Sequence, residues 1–293
     1  MRSTITISLL LAGVTLFALA QTKPAHPEML VSTEWLAAHQ NDPKLVILEF
    51  PKDKEDYAAG HIPGARAIWG EQIYGKKNGV ESELLPVDQL VKVFEELGVS
   101  DDSHVVIYTT DWPPMAPRVY FTLDYLGLGD HASLLDGGQE KWKAENRPLS
   151  KEAPTVTKGH ITPHPRPEIV ASAEDVKAAS ASGDNTVVVD ARPDRRYTAG
   201  HVPGAVSMYW QKAVGAKEEQ NHYLSPDEIQ KAYSAAGAVS GKKLITYCEI
   251  GWQASHDYFT AKYLGYDVKM YDGSYQEWKD VKHEAVVTGE KAR

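Results

Sequence analysis

Cys248 is the only cysteine among 293 residues, and the types around it favour chemistry on sulfur. It follows an apolar run, Leu244-Ile245-Thr246-Tyr247, that reads as a buried strand. A tight segment comes next, Cys248-Glu249-Ile250-Gly251-Trp252-Gln253, and a helical pattern runs from Ala254 to Leu264. Strand, short loop and helix place the thiol at a helix N-terminus, where free N–H groups and the helix dipole favour negative charge. The expectation is a depressed thiol pKa and a nucleophile. Free cysteines are often simply buried, so the elements that would position this one must be read as well.

An internal repeat sets the architecture. Tyr57-Ala58-Ala59-Gly60-His61-Ile62-Pro63-Gly64-Ala65 recurs as Tyr197-Thr198-Ala199-Gly200-His201-Val202-Pro203-Gly204-Ala205, and Asp136-Gly137-Gly138-Gln139-Glu140-Lys141-Trp142 recurs as Asp272-Gly273-Ser274-Tyr275-Gln276-Glu277-Trp278. Two segments repeated in one order at nearly one offset imply duplicated domains. Leu45–Leu48, Val105–Tyr108, Val187–Val189 and Leu244–Tyr247 are continuous apolar runs suited to strands buried on both faces of a parallel sheet. Ser225-Pro226-Asp227-Glu228 carries a helix start, and 86–97 is its counterpart in the first half. The pattern predicts α/β domains, each a parallel sheet flanked by helices. The expected division is a leader at 1–20, a first domain at 28–147, a Pro-, Thr- and His-rich linker at 148–167 and a second domain at 168–290.

The leader expectation rests on Arg2, the apolar stretch Ile7–Leu19 and the small-x-small site Ala18-Leu19-Ala20, which together read as a secretory signal peptide. An uncleaved anchor is the alternative, and no later stretch is suited to spanning a bilayer. Export, to the periplasm in a Gram-negative cell, follows. Exported proteins commonly pair their cysteines, so a lone thiol there calls for burial or use. The net charge of −9, without basic clusters, argues against nucleic acid as a partner.

Asp190-Ala191-Arg192, Gly200-His201-Val202-Pro203-Gly204-Ala205, Tyr247-Cys248-x-x-Gly251 with Ala254-Ser255-His256, and Tyr271-Asp272-Gly273-Ser274 with Trp278 together resemble the tandem-domain rhodaneses, a sulfurtransferase family. The resemblance spans nearly the whole chain after the leader. It implies a second domain that carries the active cysteine and a first that is catalytically silent. Here Thr109 follows Tyr108 where Cys248 follows Tyr247, and a threonine cannot form a persulfide. The implied reaction passes a sulfane sulfur from thiosulfate or 3-mercaptopyruvate, through a Cys248 persulfide, to a thiol or cyanide acceptor. It needs no metal or organic cofactor, and a thiol reductase is a conceivable partner. A non-catalytic sulfur carrier or binding module is the alternative.

Arg192 and Arg196 are the candidates for holding an anionic donor, since arginine grips oxyanions in a fork. A structural ion pair with Asp190 is the competing role for Arg192. Glu249, Ile250, Gly251, Trp252 and Gln253 complete the expected substrate loop, with Trp252 either walling the pocket or packed in the core. An acid at Glu249 departs from the family, opposes thiol ionisation and repels anions, so it bears on donor choice. His61 and His201, repeated in both halves, read as turn residues, and His256 as a packing residue. Cysteine phosphatases need an arginine six residues after the cysteine; Ala254 stands there.

Overall fold

The computed structural model describes residues 23–182, 185–216, 219 and 221–292. The leader expected at 1–20 lies outside them. Among the described residues no helix is long and apolar enough to cross a membrane.

The first half runs β1 (Leu30–Val31), α1 (Thr33–His39), β2 (Leu45–Phe50), α2 (Lys54–Ala59), β3 (Ala65–Ala67), β4 (Tyr74–Lys77), β5 (Val80–Leu84), α3 (Val87–Glu96), β6 (His104–Thr109), α4 (Met115–Tyr125), β7 (Ala132–Leu135) and α5 (Gly138–Ala144). The order β1-β7-β6-β2-β3 makes a parallel sheet, and β4 and β5 form a separate antiparallel hairpin. The second half runs α6 (Ala173–Ser182), β8 (Thr186–Asp190), α7 (Asp194–Ala199), β9 (Val206–Ser207), α8 (Pro226–Ala235), β10 (Lys243–Tyr247), α9 (Trp252–Leu264), β11 (Asp267–Met270) and α10 (Ser274–Gln276). Its parallel sheet has the order β11-β10-β8-β9, and Val170 bridges Met270 where β1 pairs β7. Continuous apolar strands are buried on both faces, as helix-covered parallel sheets require. The start of α8 is a complete capping box, Ser225 with Glu228 behind Pro226.

The repeated Gly-His-x-Pro-Gly segment does the same structural work twice. Tyr57 and Tyr197 stack on His61 and His201, at 4.0 and 3.8 Å, and their hydroxyls donate to the Ala65 and Ala205 carbonyls. Each histidine then ties down a distant segment through an isolated bridge: His61 pairs with Ser150, His201 with Val287. From Ser150 the chain runs along the first half, donating Gly159 N–H to Glu95, His164 N–H to Leu126 and Arg166 N–H to Tyr125.

The halves meet through α4 and α9, which are buried nearly all round, their polar side chains included. Tyr120 meets Phe259 and Phe121 meets Tyr258 edge to face, at 5.0 and 4.9 Å. The buried Asp124 between the helices accepts from Tyr258, Lys262 and Arg166, so its charge is fully paired. Two aspartates then exchange roles across the interface. Asp136 accepts the Tyr223 N–H and Asp272 accepts the Leu84 N–H, both at 2.9 Å. The duplicated turns therefore clasp each other's domain about a pseudo-twofold axis.

Candidate active site

Strand β10 ends at Tyr247, and its carbonyl accepts from Ala191 N–H beside β8. Cys248 is the next residue, and α9 begins four residues later. Gly251 makes that sharp entry possible at φ 95°, in the left-handed region that glycine occupies without strain. Its N–H donates to Cys248 Sγ at 3.1 Å, and the Ile250, Gln253 and Ala254 N–H groups also favour the thiolate. Burial outweighs them. Cys248 is 1% exposed, and the loss of solvation pushes its thiol up, where the helix start alone predicted depression.

The loop is strapped to the turn after β11. Cys248 N–H donates to Ser274 Oγ at 3.2 Å, Tyr275 N–H to the Cys248 carbonyl at 2.9 Å and Gln276 N–H to the Glu249 carbonyl at 3.0 Å. Ser274 holds φ 52° although it is not glycine; its counterpart in the first half is Gly138, at φ 55°. A side chain in that region costs about 1–3 kcal/mol, and here it caps the amide of the candidate nucleophile.

Seven of the eight residues singled out from the sequence line one cleft of about 310 Å³: Cys248, Arg192, Arg196, Glu249, Ile250, Trp252 and Gln253. Gly251 lies within the same loop, its N–H on the sulfur. Trp112, Pro193 and Arg195 complete the lining, and none of them was singled out. Arg195 adjoins Arg196 in sequence. Trp112 comes from the first domain and carried no sequence signal; it meets Trp252 at 6.3 Å and Trp210 at 5.8 Å. Trp252 both walls the cleft and packs on Tyr74, at 5.5 Å. Another cleft, of about 270 Å³, lies at the opposite end of β10 around Lys242, Lys243 and Tyr266, far from Cys248 in the strand.

The two candidate arginines differ in kind. Arg192 is buried and its fork is occupied: Nε and Nη2 hold Asp190, Nη2 also holds the Gly200 carbonyl at 2.7 Å, and Nη1 holds Glu249 at 3.1 Å. Its guanidinium stacks on Tyr275 at 3.9 Å. Burial works against its charge, but Asp190 more than compensates and raises its pKa. Asp190 also accepts from the Tyr247 hydroxyl at 2.6 Å, so this ion pair anchors the strand end that presents Cys248. Arg196 and Arg195 are exposed on α7 at the edge of the cleft. Glu249, half-exposed, answers Arg192 and is not an isolated charge. His256 is buried, stacked on Tyr223 at 5.3 Å, and its ring is pushed down to about 3 by desolvation; no hydrogen-bond partner reaches it among the described residues. A neutral packing ring fits that environment.

The corresponding site of the first half is closed. Thr109 ends β6 and donates to the Phe50 carbonyl at 2.8 Å. Counted from Thr109, Pro113 and Pro114 take the places of Trp252 and Gln253, α4 begins only at Met115, and proline has no N–H to donate. The space left there is about 10 Å³, at most one water molecule.

Comparison with known proteins agrees with this duplication. The model of the rhodanese-like domain matches twice, at residues 32–145 and 172–281. The sulfur carrier protein TtuD of Thermus thermophilus is 33% identical over 292 residues, covering 91% of this chain and 99% of that protein. A Mycobacterium bovis protein provisionally named thiosulfate sulfurtransferase SseA is 31% identical over 294 residues, covering 91% and 93%. The crystal structure of SseA from Escherichia coli, described as showing the fold and mechanism of 3-mercaptopyruvate sulfotransferases, superposes with a TM-score of 0.76 at 28% identity, over 84% of this chain and 98% of that one.

Proposed function

This chain belongs to the rhodanese-like domain family, and from that premise we propose that it is a sulfurtransferase working through a persulfide on Cys248. The observation that carries this reading is the floor of the cleft. There Cys248 Sγ meets the Gly251 N–H, with three more loop N–H groups favouring its anion. A persulfide extends the anion by one sulfur into the cleft, and preorganised N–H groups stabilise charge without reorganising. The Cys248 thiolate attacks the outer sulfur of thiosulfate. The donor S–S bond breaks, sulfite leaves with the electron pair, and the enzyme holds a disulfane anion. With 3-mercaptopyruvate the C–S bond breaks instead, and the carbon takes a proton to leave as pyruvate. An acceptor thiolate or cyanide then attacks the outer sulfur and releases the Cys248 thiolate.

Donor binding falls to Arg195 and Arg196, because the Arg192 fork is already filled. Apolar surface from Trp112, Ile250 and Trp252 faces those cations, which suits a donor with a carbon body as well as thiosulfate. The leader pattern supports placing the reaction outside the cytoplasm. The likeness to TtuD favours a second reading, a carrier that receives sulfur from a partner and passes it to another. Initial rates with varied donor and cyanide separate the two. Parallel double-reciprocal lines are the ping-pong result expected of the enzyme. No turnover with a small acceptor, despite sulfur on Cys248, would replace it with the carrier.

A further inference from the structure

The loop that holds Cys248 does not rest on its own domain alone. A Cβ built on Gly251 would stand 2.9 Å from Asp272 Oδ1 and 3.1 Å from Arg118 Nη1. Arg118 lies on α4 of the first domain and is fully buried. Its Nη1 donates to Asp272 Oδ1 at 2.5 Å and its Nη2 to the Ser82 carbonyl at 2.6 Å. Its guanidinium lies 5.8 Å from the ring centres of Tyr74 and Phe121. The other oxygen of Asp272 accepts the Leu84 N–H, and Gln276 Oε1 accepts the Glu81 N–H. The same turn then holds Cys248 and Glu249 through Ser274, Tyr275 and Gln276. Hydrogen bonds therefore link β5 of the silent domain, through the turn after β11, to the Cys248 amide, and Asp272 and Arg118 border Gly251 too closely to admit a side chain there.

We propose that Arg118 is a positioning residue for Cys248: through Asp272 it fixes the height of the Gly251 backbone, whose N–H meets the sulfur. The inference rests on Cys248 being the nucleophile, and gives the silent domain a defined part in the reaction. A buried ion pair is a poor source of net stability, since apolar groups of the same shape do as well or better. Its geometry is what an apolar pair could not supply. The planar fork spans Asp272 and the Ser82 carbonyl at once, which a single ammonium cannot do equally well. Displacing a reacting group by about 1 Å costs on the order of a hundredfold in rate.

The test uses the full chain with Arg118→Met, Arg118→Lys and the double variant Arg118→Met/Asp272→Asn. The double variant leaves no charge buried alone, and its amide oxygen can still accept from Leu84. Two readouts are taken: the rate of Cys248 alkylation by iodoacetamide, and the initial rate of sulfur loading from thiosulfate as a function of its concentration. The proposal predicts that the loading plateau falls about tenfold or more in Arg118→Met and in the double variant, with half-saturation within about twofold. The alkylation rate changes in both, and Arg118→Lys recovers part of each loss. A folded double variant with wild-type plateau and alkylation rate overturns the proposal, as does a loss confined to half-saturation. If the wild type takes up no sulfur, the persulfide reading fails by itself, and the alkylation rates still decide the role of Arg118.

Discussion

At the scale of single residues, two opposed effects meet on one sulfur. Loop N–H groups favour the Cys248 thiolate, while burial favours the thiol and prevails. The alkylation rate of the free protein is therefore expected to keep rising with pH beyond about 8.5, where an ordinary thiol is half ionised. A plateau reached near neutrality would contradict it. The helix start that suggested a depressed pKa was visible in the sequence; the desolvation was not, because it depends on how the loop and the turn after β11 pack together in space. The arginines divide in the same way. Arg192→Met removes one partner of a buried pair and should cost about 3–5 kcal/mol of stability, read as a lower melting temperature. Arg195→Ala and Arg196→Ala should leave melting unchanged and raise the donor KM. The opposite pattern, with Arg192→Met stable and weak only in donor binding, would restore Arg192 as the anion contact. Glu249, expected to repel anions, is held by Arg192, a pairing that neighbours 57 positions apart in sequence do not announce.

At the scale of elements, the strand–loop–helix around Cys248 was legible from its apolar run and the helical pattern that follows, and four of the five loop residues named from it line one cleft with Cys248. Residues supplied by other elements were less so. Ser274 could have been found, since it replaces the glycine of the first repeat at a left-handed position. Ser274→Gly removes the backbone strain together with the acceptor for the Cys248 amide. It should keep or raise the melting temperature while slowing sulfur loading; unchanged loading would show the hydroxyl to be dispensable. The paired prolines of the first loop explain why the missing cysteine is not its only defect. Thr109→Cys, made in the Cys248→Ser background, should acquire no sulfur from thiosulfate, because Pro113 and Pro114 offer no N–H groups and the void is too small for the donor. Sulfur uptake by that variant would show that a thiol is all the first site lacks.

At the scale of the whole molecule, the repeat made the two-domain α/β plan readable before any coordinates, because the duplicated Gly-His-x-Pro-Gly turns keep their glycines and their tyrosine partners. What the repeat could not reveal is how the halves dock: Asp136 and Asp272 each capture an amide of the other domain, and Arg118 reaches across. Glu83, on the docked hairpin, records the strain of this arrangement. Burial, then Asp272 and Glu277, lift its carboxyl from 4.5 to about 7. An acid raised in the folded state costs nothing while both states are protonated, below about 4.5. The cost grows as pH rises and is complete above about 7. Glu83→Gln should therefore raise the melting temperature above neutral pH and flatten its decline between about 5 and 7; an unaltered profile would remove Glu83 as a cause.

The central claim is that Cys248 carries the transferred sulfur. Intact-mass measurement of the protein after separate incubation with thiosulfate and with 3-mercaptopyruvate, without acceptor, tests it most directly. A gain of one sulfur atom on the wild type with at least one donor, absent from Cys248→Ser, is the predicted result. No gain with either donor, or an equal gain on Cys248→Ser, would contradict it.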